Sequence, residues 1–172
     1  MGSGKTITGL LTFLRLRTEG RRLLVIAPGC VLDGWAEEAS SRFGLKVTMH
    51  HGPKRARTAD ALLSADAVVT TYGTFVADFA KDASGCALSG IPWGLIILDE
   101  VHMFIANTDN RAHQALRLHL RDTPRLALTG TLVQNGYREV ASICNVVLRP
   151  GHRFGRADVF DRPGAVSEFQ KR

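Results

Sequence analysis

No run of apolar residues in this sequence is long enough to cross a bilayer. The most apolar early stretch, Ile7 to Leu14, falls well short of the ~20 residues a membrane helix needs, and Arg15 and Arg17 close it. A basic start leading to a small-residue cleavage site is also wanting, so secretion is not expected. Cysteine is scarce. Cys30, Cys86 and Cys144 are odd in number and widely spaced, which suits neither a disulfide framework nor a zinc site and makes a reducing, intracellular compartment the expectation. Repeats, low-complexity tracts and linkers are missing as well, so the 172 residues read as one domain. With 45% hydrophobic and 22% charged residues, the chain has the apolar content that globally disordered sequences lack.

What is present begins with charge. Lys and Arg number 22 against 16 Asp and Glu, a net +6, which hints mildly at a polyanionic partner. The basic residues cluster at Arg15, Arg17, Arg21 and Arg22, at Lys54, Arg55 and Arg57, and along Arg111, Arg117, Arg121 and Arg125. Taken singly, each cluster reads as the solvated face of an element.

Short apolar runs alternate with helical periods. Ile7, Leu10, Leu11 and Leu14 keep the spacing of one helix face, with Gly20 as a stop. LLVIA at 23–27, closed by Pro28-Gly29, has the continuous apolarity of a strand buried on both faces. A helix is predicted over 31–42, a strand over 45–49, a helix over 53–63 and a strand over 67–71. A loop near 84–90 precedes a strand over 95–98, then a helix over 110–120 and a strand over 125–128. Tyr137, Val140, Cys144 and Val147 mark a last helix. Such alternation predicts an α/β fold, a mostly parallel sheet with helices on both faces. Ligands of such sheets bind at the carboxyl ends of the strands.

Three segments carry candidate chemistry, the second and third of them at such strand ends. Gly2-Ser3-Gly4-Lys5-Thr6 runs straight into the first helix: its glycines let backbone N–H groups curl around phosphate oxygens, Lys5 can reach the β- and γ-phosphates, and the Thr6 hydroxyl can ligate Mg²⁺. The first glycine of the full G-x-x-x-x-G-K-[ST] pattern would lie ahead of Met1. Asp99-Glu100-Val101-His102 follows an apolar strand, and a carboxylate pair there can divide the work, one holding Mg²⁺ and the other activating water. Thr129-Gly130-Thr131 follows the next strand and puts two hydroxyls on a flexible turn.

In this order the segments resemble the helicase-like ATPases of the Swi/Snf type. The likeness rests on MGSGKT, LLVIAPGCVLDGWAEEASSRF, VVTTYGTF, LIILDEVH and LALTGTLVQNGYREVASICNVVLRPGHRFG, which run over nearly the whole chain. It implies a RecA-like P-loop lobe over 1–150, the first of two such lobes, with 151–172 as a partly irregular extension. The cofactors implied are ATP and Mg²⁺. Gly2, Ser3, Gly4, Lys5 and Thr6 would bind nucleotide, Thr6 and Asp99 the metal, and Glu100 would activate water. His102, Thr129, Gly130 and Thr131 would couple nucleotide state to DNA. Pro28, Gly29, Thr70, Thr71 and Tyr72 correspond to turns near the DNA backbone.

The implied partners are double-stranded DNA or chromatin and a second RecA-like lobe, with no membrane. The implied location is nuclear in a eukaryote and otherwise cytoplasmic. A strand ahead of the phosphate loop and the second lobe are expected outside this chain, so the chain alone is expected to be inactive. Departures from the family pattern fall at Val101, at Met103 to Ala106, and at Leu132, where proline is usual. Two other readings stay open: a non-catalytic nucleic-acid or partner-binding module derived from such a lobe, and a small P-loop kinase with arginines on a lid.

Overall fold

Every residue from Leu23 to Ala27 is buried, and the reason lies in where strand β1 (Arg22–Ala27) sits. It is the middle strand of a five-stranded sheet in the order β2-β3-β1-β4-β5, with β2 at Val47–Met49, β3 at Ala67–Thr71, β4 at Trp93–Asp99 and β5 at Arg125–Leu128. All four pairings are parallel. The structure is a computed structural model and describes residues 4–53, 55–56, 58–79, 86–102, 111–120, 122–130 and 137–148.

Successive side chains of a strand point to opposite faces, so a continuously apolar strand feeds two cores. Leu23, Val25 and Ala27 join Ala67, Val69, Leu95 and Ile97 on one face. There they meet Leu10 and Phe13 of α1 (Lys5–Leu16) and Leu32, Trp35 and Ala39 of α2 (Leu32–Phe43). Leu24, Ile26, Val68, Ile96 and Leu98 turn the other way. Their partners come from the short α3 (Asp60–Leu63), α4 (Tyr72–Phe79), α5 (Arg111–His119) and α6 (Tyr137–Val147). This is the expected α/β architecture with helices on both faces.

The Arg125 guanidinium ties the second layer to the sheet. It donates to the carbonyls of Leu116 and Leu120 near the end of α5 and of Val146 near the end of α6. A cation there sits at the negative, carboxyl-terminal ends of both helices, where the helix dipoles favour it.

Several boundaries differ from the sequence reading. The resemblance implies a turn at Thr70 to Tyr72, yet α4 begins at once at Tyr72. Its buried residues Tyr72, Phe75 and Phe79 hold an i, i+3, i+7 spacing. Thr71 caps it, the Thr74 amide donating to the Thr71 hydroxyl at 3.1 Å. Of the helix predicted over 53–63, only Asp60–Leu63 is helical among the described residues, β2 is shorter than predicted, and β4 starts earlier, at Trp93. The segments 103–110 and 149–172, with Met103 to Ala106 and the predicted extension, lie outside the described residues, as do Gly2, Ser3, Thr131 and Leu132. Among the described residues, no helix is long and apolar enough to cross a membrane.

Candidate functional site

The amino end of α1 faces the carboxyl end of the sheet. Gly4 occupies its cap position in the left-handed region (φ 67°), which glycine adopts without a Cβ penalty, and its carbonyl receives the first helical bond from the Thr8 amide at 2.9 Å. Amides of a first turn have no carbonyl ahead of them in the helix. Glycine brings no side chain to cap them, so the helix end presents N–H groups and partial positive charge to an anion. Lys5 and Thr6 stand in this first turn, both half-buried.

A second glycine sets how closely α1 lies on the sheet. A Cβ at Gly9 would stand 2.9 Å from Ile97 Cδ1 on β4 and 3.0 Å from Trp35 Cη2 on α2. Only the smallest residue lets α1, Trp35 and β4 meet there.

β4 delivers Asp99 and Glu100 to the same end. Asp99 is 6% exposed and held on several sides. The Trp35 indole N–H donates to its Oδ2 at 2.9 Å, the Glu100 amide donates to its Oδ1 at 3.0 Å, and the Tyr72 hydroxyl donates to its main-chain carbonyl at 3.0 Å. The chain then turns sharply. Glu100 has φ 47°, the left-handed region that side chains other than glycine occupy at a cost.

This turn aims the Glu100 carboxylate at Lys5, and the two form an ion pair through Oε1. The Gly130 amide donates to Glu100 Oε2 at 3.3 Å, bringing in the turn after β5. A Cβ at Gly130 would lie 3.5 Å from Lys5 Nζ. Close by, His102 Nδ1 is 2.5 Å from Thr129 Oγ1 and 3.4 Å from Glu100 Oε2. Residues far apart in the chain thus converge at the ends of β4 and β5 and the start of α1.

Titration follows from this geometry. The hydrogen bond from Lys5 holds the Glu100 carboxyl below its ordinary range against the opposing effect of partial burial, and the Gly130 amide and the charges of Lys5 and His102 act in the same direction as the bond. Burial drives the Tyr72 hydroxyl well above the ordinary tyrosine value, and the carboxylates of Asp99 and Glu100 push it further. Tyr72 is therefore a permanent donor at any working pH.

The donor set suits magnesium. A hydroxyl at Thr6 and a carboxylate at Asp99 are hard oxygen donors, and Mg²⁺ takes one or two protein ligands, keeping waters and substrate phosphate oxygens for the rest. Among the described residues no three-membered His/Cys/Asp/Glu cluster would cage an ion by itself.

The residues expected near a nucleic acid divide. Pro28 is half-buried and Gly29 exposed, at the end of β1. A Cβ on Gly29 would lie 3.9 Å from Thr71 Cγ2, so the β1 and β3 turns adjoin. Thr71 is half-buried. Thr70 and Tyr72 face inward: Thr70 is fully buried and donates to the His50 carbonyl at 2.7 Å, while the Tyr72 hydroxyl is spent on Asp99. Beside them Asp78 of α4 receives Arg55 at 3.0 Å and lies 2.5 Å from the buried His50, pinning the turn after β2 to α4.

Sequence reasoning missed three contributors: Gly9, Trp35 as a donor to Asp99, and Tyr72 as a donor to its carbonyl. The one local signal was an indole on the buried face of an amphipathic helix, since a buried indole N–H needs an acceptor.

Comparison with known proteins adds a family. The SNF2-related domain family matches residues 1–166. A putative ATP-dependent helicase/translocase of Bacillus subtilis is 35% identical over 150 residues, 83% of this chain and 15% of that protein. Transcription termination factor 2 of Drosophila melanogaster is 36% identical over 142 residues, 81% of this chain and 13% of that protein. Among solved structures, the SWI2/SNF2 ATPase core of Sulfolobus solfataricus in complex with double-stranded DNA matches with a TM-score of 0.64 at 27% identity, over 88% of this chain and 30% of that one.

Proposed function

The chain belongs to the SNF2-related domain family, and from that premise we propose that it is the ATP-binding first lobe of a DNA-dependent ATPase or translocase of the chromatin-remodelling or repair type. The observation that carries the reading is the ion pair between Lys5 and Glu100, which joins the start of α1 to the end of β4.

In this reading the α1 amides, with Gly2, Ser3 and Gly4, cradle the ATP phosphates. Lys5 exchanges Glu100 for the β- and γ-phosphate oxygens. Thr6 and Asp99 would hold Mg²⁺, which when bound would supply positive charge to the phosphate oxygens. Glu100, freed from the bond that lowers its pKa, becomes more basic and orients the attacking water. Gly130 and His102 keep hold of its other oxygen, so the Thr129–Thr131 turn registers the switch. Pro28, Gly29 and Thr71 offer neutral groups to the backbone of double-stranded DNA, contacts that position a duplex without reading it. Thr70 and Tyr72 support those turns from beneath.

A second lobe supplies arginines to the transition state, a contribution worth ~10³–10⁵ in rate in related phosphoryl transfers. The expected place of work is the nucleus in a eukaryote and otherwise the cytoplasm.

The test is equilibrium binding of a fluorescent ATP analogue with Mg²⁺. The chain is expected to bind weakly with negligible turnover, Lys5→Ala to weaken binding at least about tenfold, the loss of one charge-assisted contact, and Glu100→Gln to retain it. Equal binding by Lys5→Ala would contradict the site. DNA-stimulated turnover by this chain alone would contradict the need for a second lobe.

A further inference from the structure

We propose that Trp35 and Tyr72 are paired positioning residues that fix Asp99 from opposite faces of the sheet and thereby set how tightly the site holds Mg²⁺, an inference that rests on the nucleotide-binding reading above. Trp35 belongs to the core layer shared with α1, and Tyr72 to the layer on the other side. Their donors meet at one residue. The indole takes Asp99 Oδ2 at 2.9 Å and the phenol takes the Asp99 carbonyl at 3.0 Å, while Oδ1 is occupied by the Glu100 amide at 3.0 Å. Side chain and main chain of Asp99 are both anchored, so the carboxylate has one orientation.

The chemistry of the two donors matters. The Trp35 indole orients the carboxylate without neutralising it and the Tyr72 phenol holds the main chain behind it, whereas a lysine or arginine in either place would consume the charge that a cation needs. Each carboxylate oxygen has two acceptor directions, so one per oxygen remains for the cation or for a water bound to it. Partners of this kind behind a metal ligand typically change metal affinity 10–100-fold when removed.

Trp35 has a second contact that ties the two halves of the metal site together. Its ring lies where a Cβ at Gly9 would come within 3.0 Å, on the helix that starts with Lys5 and Thr6. One side chain therefore spaces the Thr6 helix and orients Asp99. Its own helix α2 follows the Pro28-Gly29 turn in sequence, and Tyr72 follows Thr70-Thr71.

The test compares affinity for a fluorescent ATP analogue with Mg²⁺ and with EDTA in the 172-residue chain. Trp35→Phe removes the indole donor and keeps an aromatic ring; Tyr72→Phe removes only a hydroxyl and serves if the first variant folds poorly. For either variant, the tightening conferred by Mg²⁺ is expected to fall by about tenfold or more, with affinity in EDTA unchanged. The indole N–H resonance of Trp35, assigned by its loss in Trp35→Phe, is expected to shift on adding nucleotide with Mg²⁺ and to stay in place with nucleotide and EDTA. Full Mg²⁺ tightening in both variants overturns the proposal, and so does an equal loss with and without Mg²⁺, which is the mark of a purely structural role. Failure of the underlying reading looks different: the wild-type chain then takes nucleotide in neither condition, and the proposal falls with it.

Discussion

Glu100 carries opposing demands on a single residue. Its left-handed backbone (φ 47°) costs on the order of 1–3 kcal/mol for a non-glycine residue, and the Asp99 carboxylate and the Lys5 ammonium hold it there. Because Lys5 depresses the Glu100 pKa in the folded chain, the pair stabilises the fold above the ordinary glutamate value of 4.5, and that contribution is lost as pH falls through the lower folded value. Lys5→Ala is expected to raise the Glu100 pKa, read by carboxyl NMR titration, and to flatten the acid limb of the stability profile below pH 4.5. At neutral pH it should cost only about 0–1 kcal/mol, because both side chains are about a quarter exposed. An unmoved Glu100 titration would mean that the pair does not form in solution. Lys5, Asp99 and Glu100 were legible as residue types after a glycine turn and an apolar strand. The donors to Asp99 were not, since nothing local in WAEEAS or TTYG says which acceptor an indole or phenol will reach.

At the scale of elements, α1 shows how packing reverses a propensity. Replacing a helical glycine by alanine usually stabilises by about 0.5–1 kcal/mol. In α2, where a Cβ at Gly34 meets nothing within 4 Å, Gly34→Ala is expected to do so. In α1 the same change at Gly9 drives a methyl against Ile97 and Trp35, and Gly9→Ala is expected to destabilise by about 1–3 kcal/mol. Urea unfolding of the two variants checks the opposite signs; a stabilising Gly9→Ala would show that α1 lies further from β4. α4 shows the converse problem. Tyr72, Phe75 and Phe79 carry a helical period, but β-branched and glycine residues among them weaken helix propensity, and the family resemblance implies only a turn at Thr70 to Tyr72. Burial of its aromatic face and the Thr71 cap decide for the helix.

Across the whole molecule, stability should be graded by position in the sheet. β1 is bonded on both sides and buried from Leu23 to Ala27, whereas β2 is an edge strand of Val47–Met49 with Met49 38% exposed. Hydrogen–deuterium exchange is expected to be slowest at Leu24–Ile26 and clearly faster in β2, because edge amides open with less loss of burial. Comparable protection in both would argue against the strand order. The apolar runs at 23–27, 67–71 and 95–98 by themselves determined an α/β molecule with two cores, since a strand apolar on both faces must be covered on both. The glycine turn and the Asp-Glu pair likewise pointed to Lys5, Asp99 and Glu100 as candidates for chemistry. Only the tertiary structure decided that β1 lies between β3 and β4, that the Lys5 helix approaches β4 closely enough for the ion pair, and that Trp35 and Tyr72 reach Asp99 from opposite sides. Those contacts join residues far apart in the chain, and pairing at such separations is settled by how whole faces fit together rather than by any local pattern.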